Sequence, residues 1–145
     1  MDWSHQTYAV EETLKAVAAG ERRICVTSPT GGGKTRIVER MLQWGKPSIV
    51  LCNRTMLLEQ WARGMDDSGK PFGMRASGYA PSVFEHVQLG MVQTISSRWA
   101  SGQEELPEAE LVFLDECHNE TGNRICAILD EYRQRGATIV LITAT

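Results

Sequence analysis

At 145 residues, with 42% hydrophobic and 23% charged side chains, the chain has the material for one domain with an ordinary core. No apolar run approaches the ~18 residues that would cross a bilayer, so no membrane is expected as partner. The formal net charge of −3 does not advertise nucleic-acid binding, but residues 1–80 carry 11 Lys or Arg against 8 Asp or Glu, and residues 81–145 carry 4 against 10; a basic local face and ordinary solvated charge both stay open.

Met1-Asp2-Trp3-Ser4-His5-Gln6 shows no basic segment followed by an apolar one, so the expected address is cytoplasmic. From about Ser4 to Ala19 the positions Val10, Leu14, Val17 and Ala18 share a helical face, and Gly20 ends it. Arg23 to Thr27 reads as a strand. It feeds Ser28-Pro29-Thr30-Gly31-Gly32-Gly33-Lys34-Thr35, which departs from the G-x-x-x-x-G-K-[ST] phosphate loop only at Ser28. Glycines let backbone N–H groups approach an anion, and a helix start adds partial positive charge. Pro29, Thr30, Gly31, Gly32, Gly33, Lys34 and Thr35 are therefore the candidate nucleotide-binding set. Lys34 would reach the β- and γ-phosphates of ATP, and the Thr35 hydroxyl would bind Mg²⁺.

A helix is expected from Lys34 to about Trp44, stopped by Gly45-Lys46-Pro47. Ser48-Ile49-Val50-Leu51-Cys52 is continuously apolar, as in a strand covered on both faces. Thr55 opens a helix through about Met65, and residues 66–71 form a loop. Weaker strand signals lie near Met74–Ser77 and Val87–Val92, then a short helix near Thr94–Ala100 and a polar loop from Ser101 to Pro107. Leu111-Val112-Phe113-Leu114 is a strand ending in Asp115-Glu116. Paired carboxylates there suit Mg²⁺–nucleotide chemistry, with Asp115 holding the metal and Glu116 orienting or deprotonating the attacking water. Ile125 to Tyr132 reads as a helix and Thr138 to Ile142 as the last strand. Cys25, Cys52, Cys117 and Cys126 form no C-x-x-C pair, and three lie in or beside apolar runs, which predicts buried reduced thiols. The spacing of Cys117, His118 and Cys126 does not match the usual structural zinc sites. Trp44, Trp61 and Trp99 are expected to pack.

Strands alternating with helices predict an α/β fold, a three-layer α/β/α sandwich with a mostly parallel sheet. Ligands then bind beyond the carboxyl ends of the strands, where the glycine loop, Asp115 and Thr143 all fall.

Ser28–Thr35, the Asp115-Glu116-Cys117-His118 box and Thr143-Ala144-Thr145 together resemble motifs I, II and III of the superfamily 2 DEAD/DEAH-box helicases and translocases, in the D-E-C-H form. Their order and spacing resemble the first RecA-like domain of that family, over residues 1–145. The resemblance implies coupling roles for His118, Thr143 and Thr145, and a last strand lying between the phosphate-loop strand and the Asp115 strand. His5-Gln6-Thr7-Tyr8-Ala9-Val10 is similar to the element ahead of motif I, which implies that Gln6 reads adenine; the usual upstream arginine and tyrosine are missing. Val50 to Trp61 is similar to motif Ia, which implies nucleic-acid backbone contacts by Arg54 and Thr55. Gly90-Met91-Val92-Gln93-Thr94-Ile95 is similar to the "T-V-Q-T-L" element, which implies strand contacts by Gln93 and Thr94. The D-E-C-H spelling, with the V-Q-T and T-A-T elements, leans toward the RadD-like and type III restriction-translocase branches.

The resemblance implies an ATP-hydrolysing motor with nucleic acid as partner, DNA more than RNA, and Lys34, Asp115 and Glu116 as catalytic residues. It also implies a second RecA-like domain, in cis or in trans, carrying motifs IV to VI and arginine fingers. These 145 residues hold none of it, so the expectation is slow hydrolysis and weak, salt-sensitive binding by this domain alone. A P-loop switch or protein-directed motor without nucleic acid, and a non-catalytic nucleotide-binding module, are the alternatives.

Overall fold

The computed structural model describes residues 12, 15, 16, 19, 20, 23–28, 46–67, 69, 71–79, 85–115 and 123–144, with the backbone alone at 23, 25–28, 115, 123, 143 and 144. Among the described residues, six strands and three helices with described bounds follow in chain order: β1 (Arg23–Ser28), β2 (Ser48–Cys52), α1 (Thr55–Asp67), β3 (Gly73–Arg75), β4 (Val87–Met91), α2 (Val92–Ala100), β5 (Leu111–Asp115), α3 (Asn123–Gln134) and β6 (Thr138–Ala144). Glu12, Lys15 and Ala16 are helical, as the reading of residues 4–19 requires. The helix expected over 34–44 lies outside the described residues.

The strands form one sheet in the order β1-β6-β5-β2-β4-β3, and every pairing is parallel. The last strand thus lies between the strand that leads into the glycine loop and the strand that ends at Asp115, as the resemblance implies. Successive side chains on a strand point to opposite faces, so a sheet with helices on both sides needs apolar residues at every position. β2 shows this: Val50 and Cys52 pack into one core with Leu58, Trp61 and Met65 of α1, while Ile49 and Leu51 pack into the other with Val92 and Ile95 of α2 and Ile128 and Tyr132 of α3. Helix α1 therefore covers one face and α2 and α3 the other, which gives the three layers.

One expectation fails. Cys126 is a free, exposed thiol rather than a buried one, whereas Cys52 is buried. Helical periodicity is the reason: Ile125, Ile128, Leu129 and Tyr132 carry the buried face of α3, and one residue onward from Ile125 is a turn of ~100° away from it. Trp61 is buried, and Trp99 packs half-buried against the second core; Trp44 lies outside the described residues.

Candidate functional site at the carboxyl edge of the sheet

Because all strands run the same way, their carboxyl ends share one edge, and the register makes that edge level. Val26 pairs with Ile142, and Ile142 with Asp115. Leu114 pairs with Leu51, Leu51 with Gly90, and Gly90 with Arg75. The residues that leave the sheet on each strand therefore stand side by side. In spatial order they are Ser28, Thr143, Asp115, the Asn53-Arg54-Thr55 exit of β2, the Val92-Gln93-Thr94 exit of β4, and the Ala76–Tyr79 exit of β3.

One half of this edge is the nucleotide side of the sequence reading. Thr143 pairs with Thr27, one residue before the glycine loop begins at Ser28, and the adjacent residue Ile142 pairs on its other side with Asp115. Strands β1 and β5 are separated by one strand, roughly 10 Å at ordinary strand spacing. Gln6, Pro29, Thr30, Gly31, Gly32, Gly33, Lys34, Thr35, Glu116, His118 and Thr145 lie outside the described residues, and the side chains of Asp115 and Thr143 are not described.

The other half brings Arg54, Thr55, Gln93 and Thr94 together on neighbouring strand exits. Arg54, Thr55 and Gln93 are exposed and Thr94 is half-buried. Among the described residues Arg54 forms no ion pair, so its charge is not spent on a neighbouring carboxylate. Gln93 Nε2 donates to Asn53 O at 3.4 Å, a long bond that ties the β4 exit to the β2 exit. Helix α1 starts at Thr55 and α2 at Val92, and neither has an acidic residue in its first turn. Met91 caps α2 with no side-chain hydrogen bond, so Thr94 sits in the first turn rather than at the cap. Two helix N-termini, neither neutralised by an acidic residue of its own first turn, consequently face the same edge.

Sequence reasoning missed two features here. Asn53 Oδ1 is buried and, among the described residues, accepts no hydrogen bond; an orphaned buried acceptor costs about 1–3 kcal/mol, so donors at this junction are in demand. Met56 and Tyr79 are large apolar side chains left exposed on the same edge. An aromatic within Ser77-Gly78-Tyr79, a turn-forming stretch directly after a strand, is the signal that could have flagged the second. Among the described residues no group of His, Cys, Asp and Glu could hold a metal ion, and no helix is long and apolar enough to cross a membrane.

Known proteins share this fold. The family described as type III restriction enzyme, res subunit, matches residues 3–145. A type I restriction enzyme EcoAI endonuclease subunit from Escherichia coli is 28% identical over 97% of this chain, which spans only 19% of that protein's length. The Hef helicase domain of Pyrococcus furiosus superposes with a TM-score of 0.70 at 21% identity, covering 94% of this chain and 32% of that one. The UvsW helicase of bacteriophage T4 gives 0.68 at 21% identity, over 94% of this chain and 50% of that one. At that identity the two structures speak to the fold alone, the α/β fold of RecA-like helicase domains. With its match running nearly end to end, the chain belongs to the type III restriction enzyme res subunit family, and so to the superfamily 2 helicases and translocases.

Proposed function

We propose that this chain is the ATP-binding first motor domain of a DNA helicase or translocase. The observation that carries the reading is the level sheet edge, on which the glycine-loop strand, the Thr143 strand and the Asp115 strand are consecutive, with the Arg54 and Gln93 exits next to them. In this reading Lys34 and the Gly31–Thr35 amides hold the phosphates of ATP, and Gln6 reads adenine. Thr35 and Asp115 would hold Mg²⁺, which supplies neutralisation of phosphate charge when bound. Glu116 orients and deprotonates the water that attacks the γ-phosphate. His118, Thr143 and Thr145 relay nucleotide state, and Thr143 is suited to this because its strand lies between the two nucleotide-contacting strands.

Arg54, Thr55, Gln93 and Thr94 would contact the nucleic-acid backbone. An arginine with no ion pair among the described residues, beside two helix N-termini whose first turns hold no acidic residue, is chemistry for phosphate oxygens. Kinship with restriction-enzyme subunits favours DNA over RNA. Arginine fingers from a second RecA-like domain would complete the site, an effect worth ~10³–10⁵ in rate.

Calorimetry with Mg·ATP tests the nucleotide half: Lys34→Ala should abolish the binding heat, and wild-type affinity in that variant defeats the assignment. Turnover with DNA, with RNA and with no polymer tests the other half. Stimulation by DNA supports the motor reading, and indifference to every polynucleotide would turn it toward a protein-directed switch. Glu116→Gln should bind ATP normally and lose turnover.

A further inference from the structure

Among the described residues two large hydrophobic side chains stand out as exposed, Met56 at 70% and Tyr79 at 41%. Both lie on the carboxyl edge, Met56 just beyond the exit of β2 and Tyr79 just beyond that of β3, with the Gln93 exit of β4 between them. The Tyr79 backbone is fixed by a tight turn. Its N–H donates to Ala76 O at 3.3 Å, and Gly78 takes φ of 90°, as a turn of this type requires at its third position. Ala76 is itself buried, which anchors the turn in the core.

Resting on the reading of this edge as a nucleic-acid track, we propose that Tyr79 stacks on an unpaired base and that Met56 lies against a neighbouring one, so the edge grips single strands by bases as well as by phosphates. An exposed aromatic beside phosphate donors is the arrangement that binds single strands without regard to sequence, since every base has a π-face. A duplex offers no such face, because its bases are already stacked on each other. A protein partner fits less well. The strands that Met56 and Tyr79 follow, β2 and β3, stand two strand spacings apart, roughly 10 Å, with β4 between them. Polar Arg54, Thr55 and Gln93 interleave with the two apolar side chains, so these form no contiguous patch of the kind protein interfaces use.

The test is fluorescence anisotropy of labelled oligothymidylate, oligouridylate and a DNA duplex with the purified protein, across a salt series. Tyr79→Ala and Tyr79→Leu should each weaken single-strand binding by about 5- to 100-fold, with the salt dependence unchanged. Tyr79→Phe should bind like wild type, and duplex binding should barely move. Arg54→Ala should instead flatten the salt dependence by about 0.7 in the log–log slope for single strands. Equal losses on the two oligonucleotides are expected, since the stack takes the π-face that both bases offer. If Tyr79→Ala and Tyr79→Leu bind as wild type does while Arg54→Ala weakens, the stacking proposal is overturned and the phosphate reading survives. If the wild-type protein binds no polynucleotide even at low salt, both fall.

Discussion

Gly90 shows how a single residue positions the nucleic-acid half of the edge. It is buried in β4, and a Cβ built on it would overlap Cδ1 of Ile95 and lie 3.3 Å from Ile95 Cγ1 and 3.5 Å from Arg75 Cβ. The missing side chain lets the first turn of α2, which carries Gln93 and Thr94, settle onto the sheet. The obstacle is the tip of one side chain, which can turn away at an off-rotamer cost of about 1 kcal/mol. Gly90→Ala should therefore cost about 1–3 kcal/mol in urea unfolding, within the usual range for overpacking. Ile95→Val deletes the offending methyl and alone costs about 0.5–1.5 kcal/mol. Combined, the two should cost clearly less than their sum, because the second change relieves the first. Strict additivity would mean that the crowding lies elsewhere.

At the scale of elements, strands whose stability resides in their own side chains were the legible ones. Residues 48–52, 111–115 and 138–144 are uninterrupted or nearly uninterrupted apolar runs, and they are β2, β5 and β6. Strand β3 is three residues long and has no such pattern; side-chain bonds made after folding lock it. Arg75, buried at its end, donates from Nε to Gln88 Oε1 and from Nη1 to Glu104 Oε2, each at 3.0 Å. Glu104 also receives Arg98 Nη1 at 3.4 Å, and Gln88 Nε2 donates to Glu85 O at 2.9 Å. Such long-range pairings leave no periodic trace, so the sequence reading set the strand near 74–77 instead of 73–75. Helix α2 begins at Val92 rather than near Thr94 for a related reason: it leaves β4 without the capping side chain by which helix starts are recognised. Glu104→Gln should test the clasp. It leaves the buried Arg75 guanidinium without its counter-charge, and since Glu104 is partly solvated the loss should be about 2–3 kcal/mol, below the figure for fully buried pairs. A change within 0.5 kcal/mol, the range of ordinary surface substitutions, would show that Gln88 alone suffices.

For the molecule as a whole, the chemistry of the edge could be read one segment at a time, but its arrangement could not. Ser28–Thr35 and Asp115-Glu116 announce phosphate and metal by residue type; that β6 runs between their strands depends on contacts between residues more than a hundred positions apart, which no local pattern encodes and only the family resemblance supplied. The same non-local closure is visible in Tyr132, the largest of the fully buried side chains among the described residues. Its hydroxyl donates to Pro107 O at 2.6 Å and so pins the loop after α2 onto α3. Burial holds its pKa well above the ordinary 10.0, against the smaller opposing pull of the Arg135 and Arg75 charges. The unfolded chain would ionise this phenol at the ordinary value while the folded chain keeps it neutral. Its contribution is thus complete below about pH 10 and is lost as pH climbs toward the raised folded value, at ~1.4 kcal/mol per unit. Tyr132→Phe should cost about 1 kcal/mol at neutral pH, through the lost hydrogen bond, and should escape the alkaline decline that this phenol causes. The two stability–pH curves, measured by urea unfolding, should therefore converge and meet roughly one unit above the ordinary tyrosine value. Parallel curves through that window would mean that the Tyr132 phenol ionises alike in the folded and unfolded chains, and that the loop is held by other contacts.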